Sequence, residues 1–383
     1  MSSFRIPFFR PSIDDDDIAA VTETLRGGWL TSGPNVKAFE EELAAYTGAR
    51  YVNVVNSATA AMHLALAAWD IGPGDEVITT PYTFASTVTV AIHLGATPVL
   101  VDVREPDANI DPERIERAVT PRTKVILPVH FAGEPCEMDA ILDIARRHRL
   151  KVLEDAAHAL GTRYRGRPVG TIGDAAAFSF YATKNITTGE GGALATDDEA
   201  LSDRVRALTL HGMSRDGWGR YEAGGSWRYD VKEFGYKDNL TDLAAALGRS
   251  QLRKADRMRN ERTRVAMRYL ENLAGEERLI LPGHNPANTH AWHLFVVRVR
   301  ESSPVPRDEV IRQLAERGIG TSVHFIPVHY HTAFQRLGRW REGDFPVAER
   351  WFGGAISLPI FPDMTDAEVD DVCDALTSIL HGR

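Results

Sequence analysis

The chain has 383 residues, 43% hydrophobic and 25% charged, with 44 Lys and Arg against 53 Asp and Glu for a net charge of -9. That length suits a large α/β domain with a smaller second one, and the acidity argues against nonspecific nucleic-acid binding while leaving room for a locally basic pocket that takes a phosphorylated substrate. Two cysteines, Cys136 and Cys373, give neither a disulfide framework nor a metal-type CxxC spacing; the amino terminus lacks a sustained apolar signal core and no later run spans a bilayer, so the expected setting is the cytoplasm, with no membrane partner.

The predicted elements alternate along the chain. A helix from Asp14 to Arg26 opens on four aspartates, Asp14 to Asp17, read as a solvated helix start favoured by the dipole. After the turn WLTSGP come a helix from Val36 to Thr47, a strand at Tyr51 to Val55 and a helix through Trp69. The pattern then repeats: strand EVITT, helix FASTVTVAIHLGA, strand TPVLVDV, helix DPERIERAV, strand TKVILPV, helix MDAILDIARRH and a short strand at Val152. Strands separated by helices imply a mostly parallel sheet. Strands at Ala175 to Tyr181 and Gly192 to Thr196 follow, and residues 212–235, rich in Gly, Trp, Tyr and Arg, read as a long functional loop. A long helix from Leu240 to about Leu273 leads to a strand at Trp292 to Val299, a helix near Asp308 to Arg317 and a strand at Gly320 to Phe325. The expected division is a large domain over residues 1–250 and a smaller one over 251–383.

Three segments carry chemistry. In FSFYATKNITTGEGG, Lys184 sits between an apolar strand and the glycines Gly189, Gly191 and Gly192. That setting desolvates the amine, lowers its pKa and frees the lone pair that forms a Schiff base; a lysine on an ordinary tight turn is the competing account. In KVLEDAAHALG the strand ends in Glu154 and Asp155. Asp155 suits the pyridinium nitrogen of pyridoxal phosphate (PLP), which acts as an electron sink only while protonated. An acidic cap of a following helix competes, and for Glu154 a reading of that kind is preferred. In YVNVVNSATAAMH, strand, small polar residues and helix start make a phosphate cradle from Ser57, Ala58 and Thr59, with Ser179 as a second hydroxyl; plain N-capping explains the same residues.

Across nearly its whole length the chain resembles the DegT/DnrJ/EryC1/StrS family of sugar aminotransferases, through GxWLTSGP, NSATAAMH, GDEVITTPYTFAST, GATPVLVDV, TPRTKVILPVHFAG, EDAAHALG, FSFYATKNITTGEGG, GYKDNLTDL, HAWHLFVVRV and ERGIGTSVHFIPVH. The resemblance implies the fold type I PLP-dependent transferase architecture of the aspartate aminotransferase superfamily: α/β, a large mostly parallel seven-stranded sheet and a small carboxy-terminal α/β domain. It puts Lys184 at the Schiff-base position, Asp155 at the pyridinium partner, and Ala58, Thr59 and Ser179 at the phosphate. Phe84 would stack on the cofactor, with an ordinary core Phe as the alternative, and His158 would lie near its phenolic oxygen. Asn239 would reach the phosphate of a neighbouring subunit, making the active unit a homodimer; a helix N-cap competes for this residue. Thr31, Tyr181, His324, His329 and Tyr330 would meet the substrate, with Trp218 and Arg228 as lid residues; aromatic packing between subunits explains Tyr330, Trp218 and Arg228 equally well. A metal reading of His324, His329 and His331 lacks a helical His pair and a nearby carboxylate at ligand spacing. The implied reaction moves an amino group from an amino acid, glutamate by resemblance, to the C4 keto group of a nucleotide-linked 4-keto-6-deoxy sugar by ping-pong transamination. Amination at C3 or of a cyclitol ketone is the alternative, and a catalytically silent ligand-binding homologue is the non-enzyme one.

Overall fold

In the computed structural model, which describes residues 4–213 and 229–382, the first part of the chain forms helices α1 (Asp15–Gly27) and α2 (Pro34–Thr47) and then alternates. Strands β1 (Tyr51–Val55), β2 (Glu76–Thr79), β3 (Thr97–Leu100), β4 (Thr123–Ile126) and β5 (Lys151–Asp155) are interleaved with helices α3 (Ala58–Ala68), α4 (Ala85–His93), α5 (Pro112–Ala118) and α6 (Met138–His148). A two-stranded ribbon, β6 (Arg163–Tyr164) and β7 (Arg167–Pro168), precedes β8 (Ala175–Ser179), β9 (Gly192–Thr196) and α7 (Glu199–Leu208). Seven of these strands make one sheet in the order β1-β9-β8-β5-β4-β2-β3. Only β9 runs against the others, and β1 is joined to the sheet through β9 alone.

Side-chain alternation explains how this sheet divides two cores. Along β8, Ala175 and Ala177 enter one cluster with Leu64 and Leu194, while Ala176 and Phe178 enter the opposite one with Phe39 and Phe180. The small residues on the first face let α3 lie close against β8 and β9, so α3 is apolar nearly all round. Phe39, Phe178 and Phe180 are each at most 1% exposed, which stabilises the other face by about 1.5–3 kcal/mol apiece.

The rest of the chain builds a second, antiparallel sheet from β10 (Leu279–Ile280), β11 (Phe295–Val299) and β12 (Ala355–Leu358). Its core includes Tyr269, Phe295, Leu314 and Leu376, and takes in Ile6 from the amino-terminal segment. The Ile6 amide donates to the Gly318 carbonyl and its carbonyl accepts from the Gly320 amide, at 3.0 and 2.8 Å. Cys136 and Cys373 are buried and unpaired. Among the described residues no helix is long and apolar enough to cross a membrane.

Several expected elements differ. The long helix from Leu240 is two, α8 (Asp242–Arg253) and α9 (Ala255–Asn272), separated at Lys254. No Gly or Pro breaks it; α8 packs on α1 and α2 while α9 packs on the terminal helix (Asp366–Leu380), so the two halves answer to different layers. Lys254 is tied to Asp14 and Asp17, and Asp17 is only 1% exposed. The aspartate run is therefore not wholly solvated: Asp14 caps α1 and Asp17 is a buried partner. No strand spans Gly320 to Phe325. Ser322 exchanges two backbone bonds with Ser357, after which the His324 carbonyl accepts from the Tyr82 hydroxyl at 2.8 Å and leaves the ladder. The strand expected from Trp292 begins at Phe295, because Trp292 has a φ of 47°.

Candidate active site

The ends of β1, β5 and β8 open on one cavity of about 540 Å³. At the first, Ser57 is the extended N-cap of α3; its hydroxyl accepts from the Ala60 amide and donates to Asn56, both at 3.1 Å. That cap leaves the amides of Ala58 and Thr59 as the helix's outward donors, and both residues line the cavity. Gly192, the first residue of β9, pairs with both Val55 and Ser179. A Cβ there would lie 2.4 Å from the Ser57 carbonyl carbon and 2.5 Å from the Ala58 nitrogen, so the helix end approaches the strand only over glycine.

β5 delivers its two carboxylates to opposite faces. Asp155 faces the cavity, accepting from the Thr87 hydroxyl at 2.7 Å and the Ala157 amide at 3.1 Å. Burial pushes its pKa up, and those two bonds, with Lys184 and His130, act the other way. No helix follows, so Asp155 closes a turn and not a helix start. Glu154 is likewise no cap: it is fully buried, accepting from the Gly173 amide at 2.8 Å and pairing with His130 Nε2 at 2.9 Å.

Lys184 lies on the link between β8, which ends at Ser179, and β9; its amide donates to the Tyr181 carbonyl at 2.9 Å. Its side chain keeps some accessible surface because it faces the cavity. Burial nevertheless lowers the amine to about 8, against the opposing charge of Asp155.

Imidazoles form the far wall. His158 stacks on Phe325 with ring centroids 5.8 Å apart and meets His293 at 4.3 Å. Burial holds both well below the usual histidine value, with Lys184 adding to the effect, and the Nδ1 atom of each has no protein partner among the described residues. His324, lowered to about 4 by burial, pairs through Nδ1 with the Ser357 hydroxyl at 2.8 Å. Ser179, Phe84 and Tyr181 complete the lining; Phe84 is 64% exposed, so it is a rim residue and not a core Phe.

Other residues named by sequence lie elsewhere. His329 is buried behind the wall, bonded to Glu349 at 3.0 Å and packed on Tyr330, and neither lines the cavity. The Thr31 carbonyl accepts from the Asp242 amide at 3.2 Å, away from the cavity. Asn239 bridges to Val55 and donates to the Ser32 hydroxyl at 2.7 Å; the N-cap of α8 is Thr241, not Asn239. Trp218 and Arg228 lie outside the described residues. Sequence reasoning passed over Thr83, Thr87, His293 and Phe325; the i, i+4 threonines around Phe84 were the one local signal.

The profile of the DegT/DnrJ/EryC1/StrS aminotransferase family matches residues 11–377. The spore coat polysaccharide biosynthesis protein SpsC of Bacillus subtilis (strain 168) is 52% identical over 379 residues, 98% of this chain and 97% of that protein. Spr1654 of Streptococcus pneumoniae, assigned as a sugar aminotransferase, superposes in its PMP form with a TM-score of 0.93 at 34% identity over 98% of this chain and 99% of its own. Its PLP form gives 0.92 with the same identity and coverage. DesV of S. venezuelae, in complex with a ketimine intermediate, gives 0.89 at 37% identity over 98% of each chain. The donor set suits PLP: outward amides at a helix start, a buried carboxylate, an amine near 8 and an unpartnered imidazole nitrogen at His158. The chain belongs to the DegT/DnrJ/EryC1/StrS aminotransferase family and is a sugar aminotransferase whose cofactor is PLP.

Proposed function

We propose that the enzyme moves an amino group from L-glutamate to the C4 keto group of a nucleotide-linked 4-keto-6-deoxy sugar, by ping-pong transamination in a homodimer with shared sites. The observation that carries this reading is the pairing of Lys184 and Asp155 in one cavity, with the amine brought near neutrality. By the family resemblance, in which His or Gln occupies this position, His158 leans toward C4 over C3, and the polysaccharide role in the name of the B. subtilis relative favours a sugar acceptor. When bound, PLP would supply an electron sink at the carbon that bears nitrogen. Lys184 Nζ anchors the cofactor and then, once free and neutral, takes the proton from the donor α-carbon. Asp155 would set its negative charge against the ring nitrogen. Ala58 and Thr59 would hold the phosphate through their amides, with the Ser57 and Ser179 hydroxyls beside them and Asn239 of the partner subunit reaching across. Phe84 would stack on the ring, His158 would attend the phenolic oxygen, and Tyr181 and His324 would receive the sugar.

Two outcomes follow for the cofactor. Gly192→Ala forces the start of α3 away from β9, and PLP affinity falls at least about tenfold, measured by fluorescence titration. Because Nζ is protonated below about 8, PLP capture by cofactor-free protein slows about tenfold per pH unit below that value. Capture that rises only toward the ordinary lysine value, 10.5, contradicts the assignment.

The reaction itself is tested by adding glutamate to the PLP-loaded protein and following the visible band, then offering 3-keto and 4-keto sugar nucleotides and locating the new amine by NMR. Loss of the band with amination at C4 supports the proposal. Amination at C3, or a band that glutamate leaves unchanged, overturns the acceptor or the donor respectively.

A further inference from the structure

Thr87 is fully buried on the third residue of α4 and does not line the cavity, yet its hydroxyl lies 2.7 Å from Asp155 Oδ2. Thr83, one turn earlier and 2% exposed on the cavity wall, is 2.8 Å from the same hydroxyl. An ionised carboxylate only accepts, so the single proton of Thr87 goes to Asp155 and Thr83 donates in turn to Thr87. The other Asp155 oxygen takes the Ala157 amide at 3.1 Å. Thr87 is thus the side-chain donor to Asp155 among the described residues, and the Thr83 hydroxyl behind it strengthens the bond by polarising it. The titratable groups that act on Asp155 are Lys184 from the link after β8 and His130 from the loop after β4. Glu154 is turned to the other face, against His130.

We propose that Thr87 is a positioning residue for transamination: its hydroxyl holds the Asp155 carboxylate ionised and aimed at the cavity, so that the shared proton stays on the PLP ring nitrogen. This rests on the reading of Asp155 given above. A hydrogen bond to a charged acceptor is strong enough that its loss makes the carboxylate about tenfold or more basic. The proton then moves from the ring nitrogen to Asp155, and the electron sink weakens.

The test uses holoenzyme loaded with PLP labelled with nitrogen-15 in the ring, read by NMR shift against pH, in wild type, Thr87→Val, Thr87→Ser and Asp155→Asn. The expected result is a ring nitrogen protonated in wild type and Thr87→Ser, displaced toward the unprotonated shift in Thr87→Val, and displaced further in Asp155→Asn. Turnover in Thr87→Val falls about tenfold with KM for the amino donor unchanged. If Asp155→Asn moves the shift and Thr87→Val does not, this inference fails and the role of Asp155 stands. If Asp155→Asn leaves the shift unchanged, the role of Asp155 fails and takes the inference with it. A Thr87→Ser shift displaced as far as that of Thr87→Val also overturns it, since the hydroxyl is then not the cause. Should Thr87→Val not fold, Thr87→Ala is read in its place against the same outcomes.

Discussion

Alanine at position 184 lowers turnover at least about 10³-fold, while the protein folds normally and retains pyridoxamine phosphate. The size follows from the two roles proposed for Lys184, covalent anchoring and proton transfer, the second alone being worth about 10²–10⁴-fold. Folding is spared because burial lowers the amine to about 8, so at neutral pH the folded chain carries a charge in a place that disfavours it. Removing that amine relieves a destabilising term, and the cofactor-free variant melts no lower than wild type. Arginine does not rescue, because its guanidinium stays charged and cannot serve as nucleophile or base. Steady-state assays and absorbance of the purified variant check both halves. Turnover within tenfold of wild type is incompatible with the role proposed for Lys184.

The second large effect is on stability. His130 and Glu154 have no exposed side-chain surface, and their network is closed. The Cys136 amide donates to His130 Nδ1 at 3.1 Å, so Nε2 carries the proton toward Glu154 at 2.9 Å, and Glu154 also takes the Gly173 amide. Glu154→Ala or His130→Ala leaves the other member buried without its partner and costs about 3–5 kcal/mol, seen as a lower urea midpoint. Replacing both with apolar residues of similar volume costs less than either single change. Equal losses for the pair and the singles would mean that the network contributes only through packing. The His130 amide also donates to the Asp155 carbonyl at 3.1 Å, so the single variants loosen the strand end that presents Asp155.

Much of the architecture was legible because it depends on short-range pattern. The β1 strand, the Asn56-Ser57 step and the apolar α3 follow one another in sequence and in space, as do β8, Lys184 and the glycines after it. What escaped depends on contacts between distant segments. Nothing local marks Lys254 as a helix break; its partners, Asp14 and Asp17, lie some 240 positions away. The residues before Phe325 alternate like a strand, yet the Tyr82 hydroxyl claims the His324 carbonyl. Gly192 reads in sequence as one of the glycines after Lys184 and the start of a strand, whereas the structure shows it to be a point of backbone contact with Ser57 and Ala58. His293 appears in sequence as one more histidine before an apolar strand, and only folding sets its ring against His158.

The place of β9 in the sheet has a consequence for biosynthesis. β1 and β8 are not neighbours; β9 lies between them and bonds to both. A nascent chain that has emerged only as far as Lys184 already contains Ser57, Asp155 and Ser179, but nothing yet holds the first of these beside the others. Ser57 and Lys184 face one cavity because residues 192–196 pair with β1 on one side and β8 on the other. Under the roles proposed for these residues, a complete cofactor site requires β9 to be paired with both of its neighbours.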